Sequence, residues 1–297
     1  MKSLFVVFAL AFFLSCADIS AATNEHRPVC SADGSKMIFM MQTERTKDDW
    51  ELYMLDFESQ TRSRLTTHRG WDGYAVWSPD GNSIIFEREV SVDKPKRPWI
   101  MELDGRTSKP LGRYEGRVSV SDWSSDNRLL GFQELNGQRD LVMLNLAGNI
   151  VEKLTETPDY SEHDARFSPD GRKIAYANGE LGVSETSLQV LNLDDDSKTV
   201  LRTSIGRIYG ISWSPDGDKI AFVDSPGGVE DDADIFVYTI EDQSFKQVTD
   251  DPAWDHMPMF CKNSQTLFFT SYRSGEEKIY QLNPDPKPFL KIERSRN

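Results

Sequence analysis

Three of the four histidines in this chain stand directly after a carboxylate, as Glu25-His26, Glu162-His163 and Asp255-His256. An imidazole next to an acid can relay a proton, ligate a metal ion or hold a charged partner. The acid should also help the ring keep its proton, so contacts made by these histidines should change between about pH 5 and 8. Two arginines, Arg117 and Arg207, offer flat guanidinium forks that seat a carboxylate through paired hydrogen bonds. Asp72 adds a carboxylate, and Trp71 and Trp254 add aromatic faces.

These residues share positions in a repeat. The aromatic-led stretches Trp77-Ser78-Pro79-Asp80-Gly81, Phe167-Ser168-Pro169-Asp170-Gly171 and Trp213-Ser214-Pro215-Asp216-Gly217 are near copies. Looser copies start at Cys30, Trp123 and Phe260, so successive anchors are 47, 46, 44, 46 and 47 residues apart. A fixed period of that length marks stacked supersecondary units. Five residues before the anchors lie Glu25, Asp72, Val118, Glu162, Ile208 and Asp255. Four before lie His26, Gly73, Ser119, His163, Tyr209 and His256. Six before lie Asn24, Trp71, Arg117, Ser161, Arg207 and Trp254.

The elements that must position them are strands. Proline, aspartate and glycine in that order specify a tight turn, with glycine taking φ > 0. Alternating runs follow each turn, such as Ile84-Ile85-Phe86 and Ile220-Ala221-Phe222. A third run follows, as in Glu51-Leu52-Tyr53-Met54-Leu55, and a fourth ends near Leu65-Thr66, Leu154-Thr155 or Val248-Thr249. Four strands per repeat predict an all-β, six-bladed β-propeller of four-stranded antiparallel blades. The polar ring should then rim the channel mouth opposite the turns. No strand should be exchanged between the chain ends, and the first and last blades should dock through side chains alone.

The repeats resemble the TolB-like β-propeller family, the Ser-Pro-Asp-Gly relatives of WD repeats, over about residues 26 to 292. The likeness is to the propeller part alone and implies a binding or scaffold module of the cell envelope.

Plainer roles compete at every site residue. The acids Asp72, Glu162 and Asp255 can cap backbone N–H groups. The histidines can be polar rim residues, with metal ligation by His26, His163 and His256 as the sharper alternative. Trp71 and Trp254 can be packing residues. The runs Asp194-Asp195-Asp196 and Glu230-Asp231-Asp232 read as solvated loop tips before they read as calcium ligands.

No Gly-x-Ser-x-Gly elbow, P-loop, dinucleotide fingerprint, His-Glu-x-x-His or Cys-x-x-Cys occurs. No catalytic residue and no cofactor is therefore assigned. The net charge of −14 argues against nucleic acid and anionic membrane surfaces. Residues 1–22 read as a secretory signal, with Lys2 ahead of an apolar run and Ser20-Ala21-Ala22 as the cleavage site. Leu14-Ser15-Cys16 offers a lipoprotein alternative, anchored through Cys16. No other segment is apolar enough to predict a membrane-spanning helix. Residues 23–297 form one propeller domain.

The expected function is an exported, non-catalytic binding propeller, periplasmic or secreted, that engages a protein or glycan at the channel mouth. The alternative is a metal-assisted polysaccharide lyase or another carbohydrate-active enzyme on the same scaffold. The two cysteines of the mature chain occupy repeat slots on either side of the ring closure. Cys30 and Cys261 are thus either a disulfide or two buried thiols.

Overall fold

The Ser-Pro-Asp-Gly turns close as their residue types require. Ser31, Ser78, Ser168 and Ser214 donate their hydroxyls to Asp33, Asp80, Asp170 and Asp216 at 2.5–2.6 Å. Gly34, Gly81, Gly171 and Gly217 take φ of 70–79°, and Asn127 holds the same slot at 66°. The computed structural model describes residues 24–42, 48–91, 93–226, 233–261 and 266–282. The predicted leader, Cys16 and the run Glu230-Asp231-Asp232 lie outside the described residues.

All regular structure among the described residues is strand. One sheet holds β1 (Glu25–Cys30), β2 (Lys36–Gln42), β3 (Trp50–Asp56) and β4 (Arg62–Arg64). Another holds β5 (Asp72–Trp77), β6 (Ser83–Arg88), β7 (Arg97–Glu102) and β8 (Thr107–Pro110). The strands β9 (Arg117–Trp123), β10 (Leu129–Leu135), β11 (Gln138–Leu144) and β12 (Ile150–Lys153) begin an 11-stranded sheet. It continues through β13 (Tyr160–Phe167), β14 (Lys173–Glu180), β15 (Glu185–Asn192) and β16 (Lys198–Trp213). It ends with β17 (Lys219–Pro226), β18 (Asp234–Thr239) and β19 (Ser244–Gln247). The last sheet is β20 (Asp255–Cys261), β21 (Thr266–Ser271) and β22 (Lys278–Gln281).

The repeats were expected to give separate four-stranded sheets, and three of them merge instead. β16 has no loop at its middle. Its first half pairs with β15 and its second half with β17, so the outer strand of one repeat becomes the inner strand of the next. A single parallel bridge, Arg139 to Ser161, joins β11 to β13. Within each repeat, consecutive strands pair antiparallel.

The leading strands β1, β5, β9, β13, the end of β16, and β20 each touch the next, and β20 returns to β1. Apolar residues fill every gap between neighbouring repeats. Ile38, Met40 and Leu52 meet Trp77, Ile84 and Phe86 across the first gap. Met37, Phe39 and Leu55 meet Cys261, Phe268 and Ile279 across the closure. The Trp77 indole donates to Val29 O at 3.0 Å and the Trp213 indole to Arg166 O at 3.2 Å, so these anchors tie neighbours together. The threonine of each Leu-Thr or Val-Thr pair has a fixed task. Thr66, Thr155 and Thr249 accept the N–H of Leu52, Leu141 and Ile235 through their hydroxyls at 2.8–2.9 Å.

The closure is not made by side chains alone. The Glu25 N–H donates to Glu277 O at 2.8 Å. Cys30 and Cys261 stand as a disulfide, with their Cα atoms 5.6 Å apart, inside the span such a bond allows.

Gly210 combines left-handed backbone with close neighbours in the wall of the channel. Its φ is +64°, and an added Cβ would meet Pro258 Cδ at 3.1 Å and Val223 Cγ2 at 3.2 Å. Gly210→Ala should therefore lose about 1–3 kcal/mol of stability, from left-handed backbone plus crowding. Denaturant unfolding measures it, and an unchanged midpoint would refute the assignment.

Candidate functional site

A β-bulge interrupts the inner strand of five repeats at one shared place. The pairing register shifts between His26 and Val29, Gly73 and Val76, His163 and Arg166, Tyr209 and Ser212, and His256 and Met259. In each case the residue three before the anchor turns left-handed: Arg27, Tyr74, Asp164, Gly210 and Met257 have φ between 51° and 64°. Bulges of this kind bend a strand and re-aim its side chains. Left-handed backbone on four residues that bear a Cβ is costly, and such strain gathers at functional sites.

Above the bulges lies a cavity of about 450 Å³, lined by the leading halves of the inner strands. A second cavity of about 440 Å³ lies at the Ser-Pro turn end, lined by Ser31, Ser78, Ser124 and Ser168 among others. Arg27, Ser121 and Met257 line both. Arg27 crosses the waist between them. Its guanidinium lies 4.3 Å from the centre of the Tyr74 ring and 3.8 Å from Asp164 Oδ1. Burial alone would raise the Asp164 carboxyl, but Arg27, His163 and Arg166 outweigh it and hold it below its ordinary value.

Six of the ten expected ligand-binding residues line the upper cavity: His26, Arg117, His163, Arg207, Trp254 and His256. The other four do not reach it. Asp72 is buried in a two-pronged pair with Arg88 at 2.7 and 2.8 Å. Asp255 is buried against Arg273 at 2.6 Å. Glu162 is buried and accepts the Thr157 hydroxyl at 2.6 Å. Trp71 is packed, with Lys96 Nζ 3.5 Å from its ring centre. Strand alternation is the reason for the acids. Five before the anchor, the side chain points between repeats, and the same slot holds the fully buried Val118 and Ile208. Side-chain ion pairs, not backbone capping, hold Asp72 and Asp255.

The histidines divide as well. His163 Nε2 is 3.1 Å from Ile208 O. His26 and His256 instead converge on Glu277, the residue just before β22. His26 Nδ1 is 2.5 Å and His256 Nε2 3.1 Å from Glu277 Oε1. His256 is fully buried, stacked 4.0 Å from Trp254, and neither ring nitrogen makes a hydrogen bond of good geometry. The expectation that the acids would help each imidazole keep its proton fails here. Burial pushes His256 down to about 4, against the pull of Glu277. Burial would raise Glu277, yet the two imidazoles hold it down at about 2.

Arg117 sits loosely, 3.5 Å from Glu87 and 3.9 Å from Glu134. Arg139 holds Glu134 at 3.0 Å. The mouth thus gathers four arginines (Arg27, Arg117, Arg139 and Arg207) against three acids, Glu87, Glu134 and Asp164. In a chain of net charge −14, that is a local reversal of sign.

Residues 161–293 match the family model of the TolB beta propeller domain. The chain is 29% identical over 254 residues to the Tol-Pal system protein TolB of Bordetella pertussis, covering 69% of this chain and 55% of that protein. It spans about half or less of the length of the curated relatives it matches. The crystal structure of TolB from Acinetobacter baumannii superposes with a TM-score of 0.69 at 17% identity, over 81% of this chain and 58% of that one. Oligogalacturonate lyase in complex with manganese superposes with a TM-score of 0.57 at 16% identity, over 89% of this chain and 90% of that one. At these identities the structural likeness establishes an all-β propeller fold and nothing beyond it.

Buried acids and cavity arginines should separate under mutation. Asp72→Ala strands the Arg88 charge and should lose about 3–5 kcal/mol. Arg117→Ala, at a half-exposed pair, should stay within about 0.5 kcal/mol of the parent. Chemical unfolding of the two variants decides, and equal losses would contradict the placement.

Proposed function

We propose that this chain, a TolB-like β-propeller, is an exported, non-catalytic binding module whose upper channel mouth seats an acidic segment of a protein partner. Its repeats are read as six blades of four antiparallel strands, the fourth strand of the last blade falling outside the described residues.

The observation that carries the reading is the cluster of four arginines and three histidines at one mouth of an acidic molecule. Guanidinium groups half withdrawn from water bind carboxylates more strongly than exposed ones, because solvent screens them less. The pairs of Arg117 with Glu87 and Glu134 are long enough for a partner's carboxylate to compete with them. The fixed inner strands supply a rigid seat, so little ordering opposes binding. A protein is favoured over a glycan as the partner. The Trp254 ring is already stacked on His256 and its indole donates to Tyr209 Oη at 2.7 Å, so it is engaged in packing. The name of the Bordetella relative places that protein in the Tol-Pal system, and an envelope partner is the matching proposal here.

The disulfide between Cys30 and Cys261 supports an oxidising compartment, in line with the leader reading of residues 1–22. Attachment through Cys16 is the alternative to free export. Among the described residues no helix is long and apolar enough to cross a membrane. A second reading, metal-assisted polysaccharide cleavage, is favoured by one observation, the His26–His256–Glu277 cluster beside the cavity.

The test is affinity capture from envelope extract with the parent and with Arg117→Ala combined with Arg207→Ala. The parent should retain a protein partner that elutes with rising salt. The double variant should lose about tenfold or more in affinity, since each charge-assisted bond contributes about 1.5–3 kcal/mol. Unchanged retention by a folded double variant removes the arginines from the site.

A further inference from the structure

The seam between the first and last repeats carries two sets of cross-ring contacts at opposite ends of the same strand pair. Cys30 and Cys261, at the ends of β1 and β20, form the disulfide. His26 and His256, at the starts of those strands, meet Glu277 from the turn that precedes β22. One nitrogen from each ring and one Glu277 oxygen all lie within 4.8 Å of one another.

A hydrogen-bonded ring closure explains only part of this cluster. It accounts for the pair of His26 with Glu277. It leaves His256 with both ring nitrogens buried and without a hydrogen-bond partner, although Nε2 stands 3.1 Å from the carboxylate. A buried polar group left in that state costs about 1–3 kcal/mol. A cation drawing on both imidazoles and the carboxylate would use the nitrogen that the hydrogen bond leaves over.

We propose that His26, His256 and Glu277 bind one divalent transition-metal ion of the zinc class at the seam of the ring. Two imidazoles and one carboxylate are a donor set that zinc accepts, with a position left open. Imidazole nitrogens argue against calcium and magnesium, which take oxygen ligands. Bonds of about 2.0–2.1 Å put two ligands of one tetrahedral ion about 3.3 Å apart. The His256–Glu277 distance of 3.1 Å is already close to that. His26 and Glu277 need a further separation of under about 1 Å from their present 2.5 Å. His26 is the partly exposed member and lines the upper cavity, so the open position faces the channel mouth. Bound there, the ion would cross-link β1 to β20 at the end opposite the disulfide. The assignment stands whichever reading of the channel mouth holds.

The experiment uses the full chain, expressed without an affinity tag and stripped with chelator. Isothermal titration with zinc chloride should give one site per chain. The His26→Ala and His256→Ala variants should each lose about 100-fold or more in zinc affinity, at or beyond the loss usual for removing a ligand's supporting partner. His68→Ala, which removes the one histidine outside the register, should bind as the parent does. Zinc should raise the melting temperature of the parent and leave that of His26→Ala unmoved. Where an alanine variant fails to fold, Glu277→Gln keeps the side-chain volume and should show the same loss. Cobalt added to the stripped parent should give the visible absorption bands of a low-coordinate nitrogen and oxygen site. A folded parent that takes up neither zinc nor cobalt overturns the proposal. So does equal zinc affinity in the parent and all three ligand variants.

Discussion

A closed ring of sheets depends on one junction more than on any other, because only one junction joins parts of the chain that synthesis leaves far apart. Here that junction is β1 against β20. Each other pair of neighbouring repeats follows directly in sequence, so its contacts are local. The closure must bring together residues 231 positions apart, and the entropy of doing so opposes it. The chain meets that opposition with a disulfide, a backbone bond from Glu25 to Glu277, and a buried cluster in which Met37 and Phe39 pack against Phe268 and Ile279. The same junction holds His26 against Glu277 and presents it to the cavity. Closure and site are therefore one piece of structure.

The channel has its form because each inner strand bends. A regular strand would send alternate side chains into the channel along its whole length. The bulge three residues before the anchor breaks that alternation and delivers Arg27, Tyr74, Asp164 and Met257 to the waist. Arg27 then spans from β1 to Asp164 on β13, with Tyr74 on β5 beneath it. Four side chains from separate repeats thus divide one channel into two cavities. The acids behind the wall have a separate task. Asp72 and Asp255 neutralise Arg88 and Arg273 where the sheets face each other, and those arginines in turn lie over Phe86 and Phe269.

Much of this was legible in the sequence, and the limits have physical causes. The turn motif was legible because proline, aspartate and glycine each answer a backbone requirement, and the Thr66, Thr155 and Thr249 positions recur for the same reason. Of the four arginines of the mouth, Arg117 and Arg207 were legible as a shared repeat position, whereas Arg27 and Arg139 stand in other slots and were not. The fate of Asp72, Glu162 and Asp255 was not legible, because their partners Arg88, Thr157 and Arg273 sit in other strands, loops and turns at no fixed offset. The bulge was hidden for a different reason. Only Gly210 is a residue that favours φ > 0, whereas Arg27, Tyr74 and Met257 are types that resist it. Glu277 stands just before β22 in a slot that the preceding repeat fills with Ala233, so alignment of the repeats could not reveal a carboxylate there. The merging of sheets at β16 was likewise invisible, since it reflects the absence of a break near Ile205.

The claim that the seam holds the ring and its site together is tested most directly by native-state hydrogen exchange, comparing the oxidised protein with protein whose single disulfide has been reduced without denaturant. Opening that bond should speed amide exchange first in residues 25–30 and 255–261, while the sheet from β9 to β15 keeps its protection. Protection lost evenly around the ring, or lost first in β9 to β15, would contradict the account.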